Sequence, residues 1–322
     1  VTAKDKATSK QQSITITGAS NLQKDEVERM VEDFNGGAQG AGCAGKIRRF
    51  AGFRFEGPDK LESDADAATD RYKAGQTLSP VDGMPVAIKD VFDTEDMRTT
   101  FNSDLFRDNQ TAWDGACPYF FRRGGGVIIG KTVTTEFAFG TPGPTRNPWD
   151  TKRTPGGSSS GSGAAVGASM VPVAIGTQVR GSVLRPAAFN GTYALKPSKG
   201  AFNLLGGFPS ALSMACIGIL SGTISDMWRT AWWLSQQGGE PGYPSLAGKP
   251  DLPKTLKPER LIRLDTAGWA ETDEVTRAEF DRVCSLLAVR GVEIVSRSDD
   301  PDIQALESML VELRNVIDFM LT

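Results

Sequence analysis

The chain has 322 residues, of which 39% are hydrophobic and 23% charged, and its formal net charge is −3. This composition is ordinary for a globular protein with one large domain or two smaller ones. The acidic balance argues against a nucleic-acid-binding protein, and no stretch approaches the roughly 18 apolar residues of a membrane span.

The N-terminal part is predicted to be a polar arm followed by helices. Residues 1–20 are polar and are predicted to form a loose arm. Apolar residues at helical spacing predict a helix over residues 21–34, which Gly36 and Gly37 end. Residues 60–75 are charged and alanine-rich, which favours a surface helix.

The middle of the chain alternates short apolar runs with a small-residue segment. Strands are predicted at residues 85–88, 127–129 and 171–175, and a closely packed helix at residues 160–170. This alternation predicts an α/β layered fold.

The last part follows a change of composition. Residues 239–258 are rich in Gly, Pro and Lys, which predicts a linker or a long surface loop. A helix is predicted to begin at Thr272 and to end before Gly291, followed by a strand over residues 292–295. Its apolar stripe consists of Phe280, Val283, Cys284 and Leu287. A further amphipathic helix begins near Ile303 and reaches Thr322 without a stop signal. We expect one domain over residues 21–322.

Cysteine and histidine limit the chemistry of any site. The cysteines, Cys43, Cys117, Cys216 and Cys284, form no CxxC pair, and the chain has no histidine, so we expect no zinc site. Widely spaced cysteines favour a reducing, cytoplasmic location. Without imidazole, a nucleophilic serine would need a lysine as its base.

Two glycine-rich segments match known patterns that their context disfavours. Residues 125–132 match the phosphate-binding pattern GxxxxGK[ST], but Val127, Ile128 and Ile129 favour a strand inside the loop. Residues 157–161 match the nucleophile elbow GxSxG, which needs a histidine that the chain lacks. A flexible linker is also disfavoured there, because the segment runs into an apolar helix.

Lys89 and Ser182 each have two interpretations from local context. Lys89 follows an apolar run. Either it is buried, and its pKa is then expected to fall, or it forms an ion pair with Asp90. Ser182 follows Gly181 in a turn that either directs backbone amides at an oxyanion or is an ordinary Gly-Ser turn.

The phrases around Lys89, Ser158 and Ser182, in this order, closely resemble the amidase signature family of serine hydrolases. The matching phrases include GMPVAIKD from Gly83, GVIIGKT from Gly126, EFA from Glu136, PGGSSSGS from Pro155, GTQVRGSVLRPAA from Gly176 and LKP from Leu195. The resemblance covers residues 78–226, with weaker similarity from residue 263 onward, and malonamidase-like members are among the most similar.

The resemblance implies a fold and a mechanism. The fold would be an α/β/α sandwich with a central mixed sheet, whose C-terminal part is absent from this sequence. The catalytic residues would be Ser182 as nucleophile, Ser158 as bridging serine on a cis peptide, and Lys89 as general base. The oxyanion hole would be formed by the backbone amides of Val179, Arg180, Gly181 and Ser182. The family implies a small-molecule amide substrate and neither metal nor cofactor, and it leaves a homodimer open.

Four positions qualify this assignment. Arg180 stands where the family usually has Gly, and it either borders the acyl pocket or points away from it. Arg185 matches a family arginine that would bind a substrate carboxylate or form a structural ion pair. Ala215 lies near the position of a usual Asp, and Gln178 replaces a common Asp.

Three other functions remain open at this point. The first is the amidase subunit of a tRNA-dependent amidotransferase, which the acidic composition disfavours. The second is a catalytically impaired, amidase-like binding protein, suggested by Arg180 and Ala215. The third is the nucleotide-binding protein that the phosphate-loop pattern suggests.

Overall fold

The computed structural model describes residues 2–4, 11–13, 54–55, 58–208, 210–240 and 242–320. The chain divides into two compact units, Val1–Leu252 and Pro253–Thr322, and this division falls within the predicted linker. Within the predicted arm, strands β1 (Thr2–Lys4) and β2 (Gln11–Ser13) pair antiparallel. The helix predicted over residues 21–34 and Cys43 lie outside the described residues, and the single-domain organisation stays a prediction.

The first unit is built on one six-stranded sheet. Its remaining strands and longer helices are β3 (Arg54–Phe55), α1 (Pro58–Ala74), β4 (Pro85–Lys89), α2 (Ala116–Arg123), β5 (Val127–Thr132), α3 (Ser160–Gly167), β6 (Val173–Gln178), α4 (Leu184–Asn190), β7 (Tyr193–Leu195), β8 (Cys216–Ser221) and α5 (Ile224–Gln236). The strand order is β3-β5-β4-β6-β8-β7. Strand β4 is parallel to β5 and β6, whereas the β3–β5, β6–β8 and β7–β8 pairs are antiparallel. The predicted mixed sheet with flanking helices is confirmed.

The central strands are buried on both faces. Val86 and Ile88 of β4 belong to one apolar cluster, while Ala87 between them belongs to a second. Because successive side chains of a strand point to opposite faces, these clusters lie on opposite sides of the sheet. The second cluster also contains Ala165 and Val166 of α3. These small side chains let α3 pack closely, as the sequence predicts.

The strand predicted at residues 127–129 is longer in the structure. Strand β5 continues through Gly130 and Lys131 to Thr132, so the glycine-lysine segment lies in the sheet. A backbone in extended ladder pairing cannot curl around a phosphate. The phosphate-loop interpretation is therefore wrong here.

The described part of the second unit contains two strands, two α-helices and one short 3-10 helix, Ala267–Glu271. The strands are β9 (Arg260–Ile262) and β10 (Glu293–Val295), which pair parallel, and the α-helices are α6 (Glu274–Val289) and α7 (Pro301–Met320). Asp273 caps α6 by accepting from the Thr276 amide, so the helix begins slightly later than predicted. None of the residues of α6, all of which the structure describes, is buried. Phe280 and Val283 of its predicted apolar stripe are 40% and 43% exposed.

In the described ranges, no helix is both long enough and apolar enough to cross a membrane.

Candidate active site

Lys89 ends strand β4 and is fully buried. Its amine nitrogen lies 2.7 Å from Ser158 Oγ and 2.9 Å from Thr177 Oγ1. The carbonyl oxygen of Thr177 lies farther away, at 3.5 Å. The structure thus brings together Lys89 and Ser158, as predicted, and adds Thr177 to them.

Burial lowers the pKa of Lys89 well below the ordinary value of a lysine. The charged form loses its hydration in this position, while only neutral oxygens lie against the amine. In the described part of the chain no carboxylate forms an ion pair with Lys89, and the neighbouring Asp90 accepts two bonds from Thr100 instead. The interpretation of Lys89 as an ion-pair partner of Asp90 is therefore wrong.

A second lysine, Lys131 on β5, is also buried, but its environment differs. Its amine donates to Phe92 O at 2.7 Å and to Thr99 Oγ1 at 2.9 Å, and it lies 3.5 Å from Asp90 Oδ1. Burial lowers the pKa of Lys131, and the charge of Asp90 opposes this change. Lys131 therefore ties the segment after β4 to the sheet.

Ser158 lies in the turn that precedes α3, between two anchored peptide groups. The peptide between Gly157 and Ser158 is cis, as the family resemblance implies. The Ser158 carbonyl accepts from the Thr135 amide at 3.0 Å. A Cβ atom on Gly157 would lie 2.8 Å from Thr135 Cγ2, so this approach requires glycine.

Ser182 lies in the turn between β6 and α4. Gly181 has φ +76, a conformation that a residue with a side chain rarely adopts. Gln178 Oε1 accepts from the amides of Val183 and Leu184, at 2.8 and 3.0 Å, and so closes the turn. The Gln178 side chain substitutes for the aspartate that the family resemblance leads one to expect, because either side chain supplies the required acceptor.

The two serine turns are adjacent, but their hydroxyl groups are not bonded. The Ser159 amide donates to the Ser182 carbonyl at 3.1 Å. Among the described residues no hydrogen bond joins Ser158 Oγ to Ser182 Oγ, which differs from the predicted relay. A serine hydroxyl rotates among staggered positions about one single bond, so the fold fixes the backbone of Ser182 more firmly than its hydroxyl.

The Ser182 turn presents backbone donors. The amides of Val179, Gly181 and Ser182 donate to no protein acceptor within the described ranges, in contrast to those of Val183 and Leu184. Ser182 itself is only 9% exposed, so these donors lie next to a largely buried side chain. The arrangement is able to accept a negatively charged oxygen.

The two arginines and Ala215 that the sequence singled out occupy different environments. The Arg180 side chain is exposed. Arg185 is also exposed, and it donates to the Gly157 carbonyl from Nε at 3.0 Å and from Nη2 at 2.8 Å. This contact replaces the ion pair that the sequence left open. Ala215 is buried, and the thiol of the adjacent Cys216 donates to the Gln178 carbonyl at 3.4 Å.

Thr177 and Lys131 are the polar residues that sequence reasoning missed. Thr177 lies one residue before Gln178 in a matching phrase, near the end of a strand that is parallel to the strand of Lys89. Polar residues at the same ends of neighbouring parallel strands are the available signal. Within the described ranges no three His, Cys, Asp or Glu side chains are grouped as they would be to hold a metal ion.

Several curated proteins resemble part of this chain. A glutamyl-tRNA(Gln) amidotransferase subunit of Thermobifida fusca is 43% identical over 174 residues, which is 52% of this chain and 35% of the relative. The corresponding subunit of Sulfurisphaera tokodaii is 40% identical over 188 residues, 56% of this chain and 38% of the relative. The matched stretch thus spans little more than a third of these relatives.

Solved structures match more of the chain. A crystal structure described as an amidase superposes with a TM-score of 0.68 at 25% identity, covering 84% of this chain and 58% of the other. A protein from a study of the origins of an s-triazine catabolic enzyme gives 0.66 at 26% identity, covering 91% and 65%. The family model described as Amidase matches residues 48–319, and the chain therefore belongs to the amidase family.

Proposed function

We propose that this protein hydrolyses a carboxylic amide through an acyl intermediate on Ser182, with Ser158 and Lys89 as the proton relay. The observation that carries this proposal is the 2.7 Å contact between the fully buried Lys89 amine and Ser158 Oγ. A buried lysine without a carboxylate partner is suited to act as a base near neutral pH.

The first half of the reaction forms the acyl-enzyme. Neutral Lys89 takes the proton of Ser158 while Ser158 takes the proton of Ser182, and Ser182 Oγ bonds to the amide carbon. The carbonyl electrons move to the oxygen, whose negative charge the amides of the Ser182 turn accept. The carbonyl then re-forms as the C–N bond breaks, and the proton held by Lys89 returns through Ser158 to the leaving nitrogen.

The second half releases the acid. Water replaces the amine and gives one proton to the same relay as its oxygen bonds to the acyl carbon. The bond to Ser182 Oγ then breaks, Ser182 recovers its proton through Ser158, and Lys89 is neutral again. Neither half of the reaction oxidises or reduces the substrate or the protein, so the reaction needs neither oxidant nor reductant.

The family membership and the geometry support this function for different reasons. The family match covers residues 48–319 as a whole. The hydrogen bond between Lys89 Nζ and Ser158 Oγ concerns two of the atoms that are proposed to transfer the proton. The amides of Val179 and Gly181, which have no acceptor among the described residues, add the donor site that an acyl transfer needs. Arg180 and Ser182 complete the proposed oxyanion hole with their backbone amides.

A second candidate is the amidase subunit of an amidotransferase, in which the released ammonia passes to another subunit. The 43% identity to a glutamyl-tRNA(Gln) amidotransferase subunit favours it. Co-expression with the remaining subunits tests it. A stable complex that amidates glutamyl-tRNA(Gln) from glutamine would support this candidate, and ammonia release by the isolated chain from simple amides would favour the free amidase.

The experiment for the main proposal combines labelling and turnover. The purified protein is treated with a fluorophosphonate probe, and ammonia release is measured with short aliphatic, aromatic and dicarboxylic amides. We expect the parent to be labelled on Ser182, and Ser182→Ala to lose labelling and turnover, with at least about a 10³-fold fall in kcat. Ser158→Ala should lose less than Ser182→Ala, since a water molecule is able to bridge part of the relay.

The control is Ser198→Ala, which removes an exposed serine hydroxyl outside the two serine turns. It should retain both labelling and turnover. Labelling that persists in Ser182→Ala would contradict the nucleophile assignment. A folded parent that is neither labelled nor active would instead favour the catalytically impaired binding protein.

A further inference from the structure

Arg185 contacts the peptide group that leads into Ser158. It lies in the first turn of α4, where its backbone amide donates to the Gly181 carbonyl at 2.8 Å. Its side chain crosses to the other serine turn and donates twice to the Gly157 carbonyl, from Nε at 3.0 Å and from Nη2 at 2.8 Å. One residue therefore connects the turn of Ser182 with the turn of Ser158.

We propose that Arg185 is a positioning residue, which holds the Ser158 hydroxyl against Lys89 by fixing the carbonyl group of Gly157. Its expected kinetic effect rests on the function proposed above, whereas its expected structural effect does not. This assignment differs from a substrate-binding role for the same arginine.

The rigidity of the peptide group links Arg185 to the Ser158 side chain. The Gly157 carbonyl oxygen shares one plane with the nitrogen and Cα of Ser158. Fixing that oxygen therefore limits where Ser158 Cα lies, and with it the reach of Ser158 Oγ toward Lys89 Nζ.

The peptide group on the other side of Ser158 is held by the backbone alone. Its carbonyl oxygen accepts from the Thr135 amide at 3.0 Å, and its nitrogen, that of Ser159, donates to the Ser182 carbonyl at 3.1 Å. Within the described ranges, the carbonyl of Gly157 has only Arg185 as its donor. Removing Arg185 therefore frees one of the two peptide groups that define the position of Ser158.

The contact also limits how Arg185 meets a substrate. Its Nε and one Nη form the edge with which a guanidinium often binds a carboxylate through two parallel bonds. Here both donors of that edge are directed at one carbonyl oxygen. A substrate carboxylate bound at the same edge would have to displace the Gly157 carbonyl.

The test compares Arg185→Met and Arg185→Lys with the parent and with Arg153→Met. Arg153 is an exposed arginine shortly before the Ser158 turn, and its side chain pairs with Asp150. Arg153→Met therefore removes an equal charge from the same region without touching the Gly157 carbonyl. Crystal structures, fluorophosphonate labelling rates, and kcat and KM on a neutral amide are measured for all four proteins.

For Arg185→Met we expect the distance between Lys89 Nζ and Ser158 Oγ to increase from its present 2.7 Å. We expect kcat and the labelling rate to fall about 10- to 100-fold with KM little changed, because small displacements of a catalytic group have effects of this size. Arg185→Lys should recover part of the loss, since an ammonium donates to the same carbonyl. Added guanidinium, at concentrations far below those that unfold the protein, should recover part of it in Arg185→Met. Arg153→Met should match the parent throughout.

Two results would overturn the inference. One is an unchanged contact between Lys89 and Ser158 in Arg185→Met, and the other is a loss confined to carboxylate-bearing amides. If the parent itself shows neither turnover nor labelling, the proposed function fails, and the distances in the crystal structures alone decide the role of Arg185. If Arg185→Met does not fold, the same distances and rates in Arg185→Lys decide it.

Discussion

Thr177 offers two oxygens to the amine of Lys89, the hydroxyl at 2.9 Å and the carbonyl at 3.5 Å. A neutral amine has two hydrogens to donate and one lone pair to accept with. If Thr177 takes both hydrogens, the lone pair is left for the third neighbour, Ser158, at 2.7 Å. Thr177 is thus suited to orient the base toward the hydroxyl group from which it removes a proton.

Thr177→Val should lower kcat about tenfold, because valine keeps the shape of threonine but loses the acceptor that orients the amine. In the parent the Thr177 hydroxyl stabilises the charged form of Lys89, so its removal lowers the pKa of Lys89 further. The acid limb of the pH–kcat/KM profile should therefore shift to lower pH. The profile is measured on a neutral amide.

Thr177→Ser is the matched control, because it keeps the hydroxyl group and removes only a methyl group. It should retain most of kcat and the parent's acid limb. Equal losses in Thr177→Val and Thr177→Ser would mean that packing of the methyl group matters and that orientation of the amine does not.

Lys89 should also make the stability of the protein depend on pH. Burial lowers its pKa in the folded state, whereas in the unfolded chain the pKa is about 10.4. Between these two values the unfolded state binds more protons, so the free energy of unfolding rises with pH, by up to about 1.4 kcal/mol per pH unit. Below the lowered pKa both states are protonated, and this dependence ends.

The measurement is urea unfolding of the parent and of Lys89→Met at several pH values between about 7 and 10. We expect the parent to gain stability relative to Lys89→Met as the pH rises through this range. The pKa of Lys131 is lowered too, but its contribution is present in both proteins and cancels. A difference that does not change with pH would mean that the Lys89 amine keeps an ordinary pKa.

Lys131 should matter for stability rather than for chemistry. Lys131→Met leaves Asp90 buried without its cation and removes the donor to Phe92 O and Thr99 Oγ1. Removing one partner of a buried ion pair destabilises a protein by about 3–5 kcal/mol, which urea unfolding measures.

Comparison with Lys89→Met separates the two buried lysines. At urea concentrations below its unfolding midpoint, Lys131→Met should still react with a fluorophosphonate at Ser182, whereas Lys89→Met should not. If Lys131→Met is stable but is not labelled, the assignment of the proton relay to Lys89 rather than to Lys131 is wrong.

The sequence predicts the parts of the site that depend on local phrases. The glycine-rich turns around Ser158 and Ser182 are specified by residues within a few positions of each other, so the sequence is enough to locate them. The structure also has the cis peptide and the buried Lys89 that are expected from the matching phrases. Thr177 could not be assigned in the same way. Its contact with Lys89 depends on the register of β4 against β6, in which Ile88 pairs with Ile175. Such pairing joins distant parts of the chain, and no local pattern specifies it.

Parts of the fold were missed for a different reason. The apolar run of β8 and the capped helix α5, where Thr223 accepts from the Asp226 amide, carry local signals that the sequence-based prediction missed. The exposed face of α6 is a different case. Its apolar periodicity correctly predicts a helix, which the structure has over Glu274–Val289, but periodicity specifies only which side chains share a face. Whether that face is covered depends on tertiary packing.

Arg180 should not select the acyl group by charge. Its side chain is exposed, and it precedes Gly181 in the turn whose backbone amides, rather than side chains, are proposed to bind the oxyanion. Replacing Arg180 by the glycine that the family usually has there should therefore change kcat/KM equally on neutral and on carboxylate-bearing amides of similar length. Comparing Arg180→Gly with the parent on such a pair of substrates measures this. A loss of about tenfold or more confined to the charged substrate, which corresponds to roughly 1.4 kcal/mol of transition-state binding, would show instead that the guanidinium recognises the carboxylate.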